Sequence, residues 1–294
     1  MTDSTSESIF APRRWFIGAD DHVRPFWRAL LWLALAIVVV VLMSGPLHRF
    51  GEGVNRGGWS FGALLLTWFL LSTLDHRSFR TLGLWFYPGW WKETAIGIAI
   101  GIGLITLVTA GMMLTGALAF QGVNDAPNLA RGLASASFLF LTAALFEEVA
   151  FRGYPFQRLM ESFGALGAVL FFSALFGAAH INNPGSTALG TANTVLAGVL
   201  LAVAYIKTRG LWLPLGLHWA WNYFLGPVFD LPVSGGRFEP ALLRAQVSGP
   251  EWLSGGNYGP EASIVLTVVC TGAIVFLWWA PWIRPSPAMQ DVLK

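Results

Sequence analysis

The sequence predicts an all-α fold, a polytopic membrane bundle of about eight transmembrane helices. Of its 294 residues, 55% are hydrophobic and only 12% are charged, whereas about a quarter of the residues in a typical soluble domain are charged. Mean hydropathy is +0.58. The apolar segments are long and uninterrupted, which favours membrane-spanning helices over the short alternating strands of a β-barrel.

Eight apolar segments predict the spans. They cover residues 27–44, 59–74, 94–120, 133–153, 164–180, 189–206, 211–229 and 262–283. Because about 20 residues are needed to cross the hydrocarbon, the second and fifth segments are short and are expected to cross with little tilt. The chain then divides into a polar N-terminal tail (1–25), one membrane-embedded domain (26–284) and a C-terminal tail (285–294).

The sequence predicts no cleaved signal peptide, no intramolecular disulfide and no nucleic-acid partner. The first apolar segment is long enough to remain as a span, so no cleaved signal peptide is expected. The Arg13–Arg14 pair is separated from that segment and is read as a solvated flank. Cys270 is the only cysteine, so no intramolecular disulfide can form, and we expect it to be a packing residue. No basic stripe suggests a nucleic-acid partner.

Two connections between spans stand out. Residues 75–93, "DHRSFRTLGLWFYPGWWKE", are basic and aromatic and suit the lipid headgroup layer. Residues 230–261 form the longest polar connection, and within it "RFEPALLRAQV" predicts a short interfacial helix. This connection is either a surface loop or a lid over a cavity mouth.

The distribution of Lys and Arg predicts the orientation. With the N-terminus inside, thirteen of the eighteen basic residues fall on the inner side. The outer five are Arg49, Arg56, Arg131, Arg237 and Arg244. This asymmetry favours a multi-pass protein of the cell's inner or plasma membrane with both termini in the cytoplasm.

Charged residues interrupt the fourth span in "LFEEVAFRGYPFQRL" (145–159). Glu148 and Arg152 are four residues apart, share a helix face and predict a structural ion pair. Glu147 is rotated by about 100° from Glu148, which leaves it as the free, functional carboxylate. The alternative is that all three residues lie where the span meets water.

Two later spans contain further polar residues. His180 ends one apolar helix, while His218 and Asn222 lie four apart on one face of another. If the fourth and fifth spans turn near residues 161–164, Glu147 and His180 are about 21 Å and about 24 Å from that turn along their helices. They would then lie at similar depth. Intramembrane ionisable residues are functional candidates; the alternative is that they are hydrogen-bonded packing residues.

These residues resemble the type II CAAX prenyl endopeptidase family, intramembrane proteases grouped with bacteriocin-processing and self-immunity proteins. The family pattern has three parts on separate helices, and the chain carries each in order: "EEVAFR" (147–152), "FGAAH" (176–180) and "HWAWN" (218–222). The resemblance covers about residues 130–230, the protease-like core.

The resemblance implies that Glu147 and His180 hold and activate a water molecule, and that His218 and Asn222 stabilise the oxyanion. Glu148 and Arg152 would support them. No cofactor is expected. The alternative is a divalent metal, with zinc the first choice, on Glu147, His180 and His218. We favour the metal-free reading because the sequence lacks H-E-x-x-H and because Asn222 suits an oxyanion donor better than a ligand.

The predicted function is therefore that of an intramembrane endopeptidase. Its expected substrate is a hydrophobic or lipid-modified protein or peptide, prenylated or not. Membrane lipid is its other expected partner. An alternative of another class is a non-proteolytic immunity or peptide-binding factor on the same scaffold. A proton-coupled transporter would also use buried Glu and His residues. The sequence shows no internal repeat of the kind many transporters have.

Overall fold

The computed structural model describes residues 13–18 and 22–292. Most of the predicted N-terminal tail and the last two residues lie outside this range. Within it the chain is mostly helical. The helices are α1 (Arg13–Phe16), α2 (Pro25–Leu47), α3 (Glu52–Thr73), α4 (Trp90–Leu114), α5 (Leu129–Arg152), α6 (Tyr154–Ala179), α7 (Ala188–Thr208), α8 (Trp212–Tyr223), α9 (Glu251–Ser254), α10 (Ile264–Trp279) and α11 (Pro287–Val292). The strands are β1 (Leu118–Val123) and β2 (Leu243–Val247).

Eight of the described helices have twelve or more residues, and they follow the order of the predicted spans. Within residues 13–18 and 22–292, four segments are long and apolar enough to cross a membrane: Pro25–Phe50, Trp90–Leu114, Leu129–Ala179 and Ala188–Thr208. The third of these contains both α5 and α6. Large apolar side chains such as Val41, Leu166 and Trp279 are exposed, as expected for lipid-facing surfaces. The chain is an integral membrane protein, while the number of eight spans stays a prediction.

A small sheet corrects two sequence predictions. The third span was expected to reach residue 120, but α4 ends at Leu114 and β1 follows it. The predicted interfacial helix in "RFEPALLRAQV" is wrong, because its second half is β2, paired antiparallel with β1. An isolated helix this short is marginal, whereas β1 offers β2 a ladder of backbone hydrogen bonds. The fold is thus a helical bundle with one two-stranded sheet.

The connection between α5 and α6 sets the depth of the polar residues. Gly153 follows the end of α5, and Gly164 interrupts α6 with φ of +73°. A left-handed residue cannot continue a right-handed helix, so the chain turns at Gly164. This is the residue at which the sequence predicts that the fifth span begins.

An ion cluster holds the part of α6 that precedes Gly164. The Asp75 carboxylate has no exposed side-chain surface and accepts hydrogen bonds from Arg28 of α2 and, at 2.8 Å, from Arg158 of α6. Arg77 and Arg158 both contact Glu161, at 2.6 and 2.9 Å. Paired charges avoid the cost of isolated buried ions, so the cluster joins α2 and α6 to the segment that follows α3.

Close backbone contact positions α8 against α4. A Cβ atom at Gly97 would lie 2.2 Å from the carbonyl oxygen of Leu213, and one at Gly101 would lie 2.6 Å from that of Leu217. Glycines four apart let two membrane helices approach closely. The carbonyls of α8 therefore lie directly on α4, which fixes the height and rotation of His218.

Replacing Gly97 with alanine is expected to lower stability, because the new methyl group meets the Leu213 carbonyl oxygen and must displace α8. Overpacking of this kind costs about 1–3 kcal/mol. Gly103→Ala on the same helix is the matched control, since nothing lies within 4 Å of its Cβ position. Thermal unfolding in detergent measures both variants. Equal melting temperatures would show that the α4–α8 contact has no such constraint.

Candidate active site

Four predicted site residues line one cavity of about 590 Å³. Glu147 comes from α5, His180 directly follows α6, and His218 and Asn222 come from α8. The side chain of Glu147 is 20% exposed and that of His218 is buried. Three separate helices thus bring these polar groups to a common space.

His218 lies between two carboxylates. Its Nδ1 is 2.7 Å from Oε1 of Glu148, and its Nε2 is 3.6 Å from Oε2 of Glu147. A carboxylate can only accept a hydrogen bond, so Nδ1 must carry a hydrogen and donate it in a hydrogen bond to Glu148. Glu147 is therefore less free than its helical phase suggested. Sequence reasoning missed the Glu148–His218 contact, because the two residues are 70 positions apart.

Glu148 also pairs with Arg152, at 3.3 Å between Oε1 and Nη1. Their side chains are 0% and 1% exposed, so the interpretation that they lie at the water interface is wrong for this pair. Nη2 of Arg152 donates to the carbonyl of Gly198 on α7, and its guanidinium lies 4.7 Å from the ring centre of Phe176. The pair thus links α5 to α6 and α7.

His180 is held by its own helix. Its Nδ1 is 2.7 Å from the carbonyl oxygen of Phe176 and must donate to it, which leaves Nε2 with a lone pair. The ring of Phe176 packs on both imidazoles, at 4.7 Å from that of His180 and 6.2 Å from that of His218. The imidazole that contacts Glu147 is that of His218.

Asn222 lies one turn after His218 on α8 and is partly exposed to the cavity. Its side chain makes no hydrogen bond to any residue in the described part of the chain, so its amide group is available to a ligand in the cavity.

No group of three His, Cys, Asp or Glu side chains in residues 13–18 and 22–292 is arranged to hold a metal ion. The structure does not test the alternative ligand set of Glu147, His180 and His218, which also stays a prediction. The predicted absence of a cofactor stays a prediction.

The rest of the cavity wall is mainly apolar. The apolar lining comes chiefly from Leu139, Phe140, Phe146, Leu200, Leu201 and Leu217. Cys270 also lines the cavity and is buried, in keeping with its predicted packing role. Two charged residues of α3, Glu52 and Arg56, lie at the wall with partly exposed side chains.

The long connection after α8 borders this space. Val233, Ser234 and Phe238 all line the cavity. Residues 230–261 are therefore more than a surface loop, and their movement as a lid stays a prediction.

Sequence analysis missed another carboxylate in the wall, Glu261. It lies in a 3-10 turn, Pro260–Ala262, just before α10. Burial raises the pKa of this carboxyl, while hydrogen bonds from Ser234 and Trp221 act in the opposite direction. In the sequence, Glu261 is a carboxylate that immediately precedes an apolar segment. This position alone does not distinguish a functional residue from an ordinary loop residue.

Residues 130–224 match the family model described as type II CAAX prenyl endopeptidase, Rce1-like. The match confirms the predicted resemblance over this range, which contains every motif from Glu147 to Asn222, and it supports a membrane protease. Glu261 lies outside it. Neither the curated proteins nor the solved structures give a match.

Proposed function

We propose that the protein is an intramembrane endopeptidase that hydrolyses a peptide bond in a hydrophobic or lipid-modified protein or peptide. One observation carries the proposal: Glu147, His180, His218 and Asn222 share one cavity whose remaining wall is mainly apolar. Hydrolysis needs a base and oxyanion donors at the reacting carbonyl, and an apolar wall suits a hydrophobic substrate chain. The match to a prenyl endopeptidase family agrees with this chemistry.

Glu147 and His180 are proposed to prepare the water molecule. The two side chains face one cavity without an ion-pair contact between them, an arrangement in which a water can bridge two polar groups. The lone pair on Nε2 of His180 accepts one hydrogen of this water, and Glu147 removes the other as the oxygen attacks the carbonyl carbon.

His218 and Asn222 are proposed to stabilise the oxyanion. With Nδ1 donating to Glu148, His218 can donate from Nε2 only as the imidazolium. The carboxylates of Glu147 and Glu148 on either side supply the countercharge for that cation. Asn222 adds a neutral N–H donor.

The reaction is completed when the tetrahedral intermediate collapses. The C–N bond breaks, the proton held by Glu147 passes to the departing amine, and the carbonyl carbon keeps the water oxygen with its remaining hydrogen as a carboxylic acid, which then loses that proton to water. Water is the only co-reactant in this proposed reaction.

The proposed location is the inner or plasma membrane with both termini in the cytoplasm, which the Lys and Arg distribution favours. Labelling a cysteine added after Lys294 with an impermeant reagent tests it, since intact cells should leave this cysteine unlabelled.

Proteomics of membrane peptides tests the function. Cells carrying the wild-type protein should contain new peptide termini that disappear with Glu147→Ala and persist with Glu251→Gln, an exposed carboxylate outside the cavity. A binding or immunity factor on this scaffold would keep its effect in the Glu147→Ala variant. If both variants give the wild-type set of termini, the protease proposal is wrong.

Strong chelators are expected to leave cleavage largely intact, because the proposed water activation uses only Glu147 and His180. Extended dialysis against chelator, followed by a reporter-peptide assay with and without added zinc, measures this. Complete loss that zinc restores would show a metal mechanism instead.

A further inference from the structure

Glu261 is tied to several elements around the cavity. Its Oε1 accepts a hydrogen bond of 3.1 Å from the indole Nε1 of Trp221 on α8. Its Oε2 accepts from the backbone N–H of Ser234 and, at 2.9 Å, from the Ser234 hydroxyl. Its backbone carbonyl accepts from the Asn193 amide of α7 at 2.9 Å. The turn before α10 is thus fixed to α7, α8 and the long loop.

These bonds act on residues next to the proposed reaction centre. Trp221 immediately precedes Asn222, so the Glu261–Trp221 bond limits the rotation of the helical turn that carries the Asn222 amide. The bonds to Ser234 hold the loop against the same wall.

We propose that Glu261, outside the family-matched range, is a positioning residue for the reaction: it orients Asn222 through Trp221 and holds the Ser234 loop against the cavity. The kinetic part of this inference rests on the proposed function. The holding of Trp221 does not, because it can be measured without any substrate.

Glu261→Gln separates the two sets of bonds. Ser234 offers two donors and Trp221 offers one, so the glutamine oxygen is expected to face Ser234 and its NH₂ group to face Trp221. Two donors then oppose each other, and the indole N–H loses its acceptor. Trp221→Phe removes the same bond from the other side and serves where the first variant folds poorly.

The first measurement is hydrogen exchange of the Trp221 indole, followed by NMR in detergent micelles with ¹⁵N-labelled tryptophan. Trp221→Phe identifies the resonance among the fifteen tryptophans. We expect exchange to be at least about 10-fold faster in Glu261→Gln, since a freed N–H opens more easily, and unchanged in Glu251→Gln. An unchanged rate in Glu261→Gln overturns the proposal, whether or not the protein is a protease.

The second measurement is cleavage of a reporter peptide. Glu261→Gln and Trp221→Phe should each lower kcat by about 10- to 100-fold, by analogy with the losses seen when residues that orient metal ligands are changed. KM and melting temperature should change little, and the double variant should be no slower than either single one. Loss of kcat in proportion to lost stability, or additive effects, would overturn the positioning role. If the wild type cleaves nothing, the proposed function falls while the exchange result still decides the Trp221 bond.

Discussion

The Glu147→Gln substitution is expected to abolish peptide cleavage while the protein still folds and extracts from membranes in normal amounts. Glutamine keeps the size of the side chain but cannot accept the proton of the attacking water. The side chain of Glu147 is partly exposed to the cavity, and its ion-pair contact with His218 is long at 3.6 Å. Little of the fold depends on it.

Glu148→Gln is the matched comparison, and for this variant the structure predicts mainly a loss of stability rather than mainly a loss of cleavage. Glu148 is fully buried and contacts both Arg152 and His218. Removing its charge leaves Arg152 without a counterion, and breaking a buried pair in this way costs about 3–5 kcal/mol. We expect a large fall in melting temperature. Surviving protein should also cleave slowly, because His218 loses the carboxylate that orients it.

Reporter-peptide cleavage and thermal unfolding, recorded for both variants, check this pair of predictions. Normal turnover in Glu147→Gln, together with loss of turnover in a stable Glu148→Gln, would reverse the assignment of the two carboxylates.

The sequence predicted this site as far as local helix geometry reaches. The pairing of Glu148 with Arg152 and the shared face of His218 and Asn222 follow from spacing within a single helix. Contacts between different helices cannot be predicted from such spacing. The Glu148–His218 bond depends on how closely α8 approaches its neighbours, which glycines such as Gly97 set through backbone contacts that hydropathy does not register.

Glu261 shows the same limit more sharply. It lies in a loop, and its importance comes from the side chains around it, Trp221 and Ser234, which are 40 and 27 residues away. Nothing in its local sequence distinguishes it from a solvated loop carboxylate.

The fold was predictable where apolar length decides it. Membrane spans are recognised as long apolar segments, and the predicted fifth segment begins at Gly164, the residue at which α6 turns. Polar helical turns were missed, so α3 begins at Glu52 rather than at residue 59. The β1–β2 sheet was missed because a short half-polar segment such as Leu243–Val247 becomes a strand only when a partner strand lies beside it.

Asn222→Ala is expected to lower turnover by about 100- to 1000-fold, the usual cost of deleting one oxyanion donor, with substrate binding retained. A packing role would predict a different result, a stability loss of about 1–3 kcal/mol from a buried partner left unpaired. The structure favours the first result, because within the described residues the Asn222 side chain has no hydrogen-bond partner to lose. Asn222→Asp should be as slow or slower, since it can place negative charge where the oxyanion develops.

His218→Ala is a less clean probe of the same site. It should slow turnover similarly, and the double variant should be less than additive if the two donors act as a unit. However, it also leaves Glu148 with Arg152 alone, so its stability should fall as well. Single-turnover cleavage and melting temperature, with exposed Asn182→Ala as the control, separate the two roles. Normal cleavage by Asn222→Ala would exclude the oxyanion role, and a joint fall of activity and stability would assign Asn222 to packing.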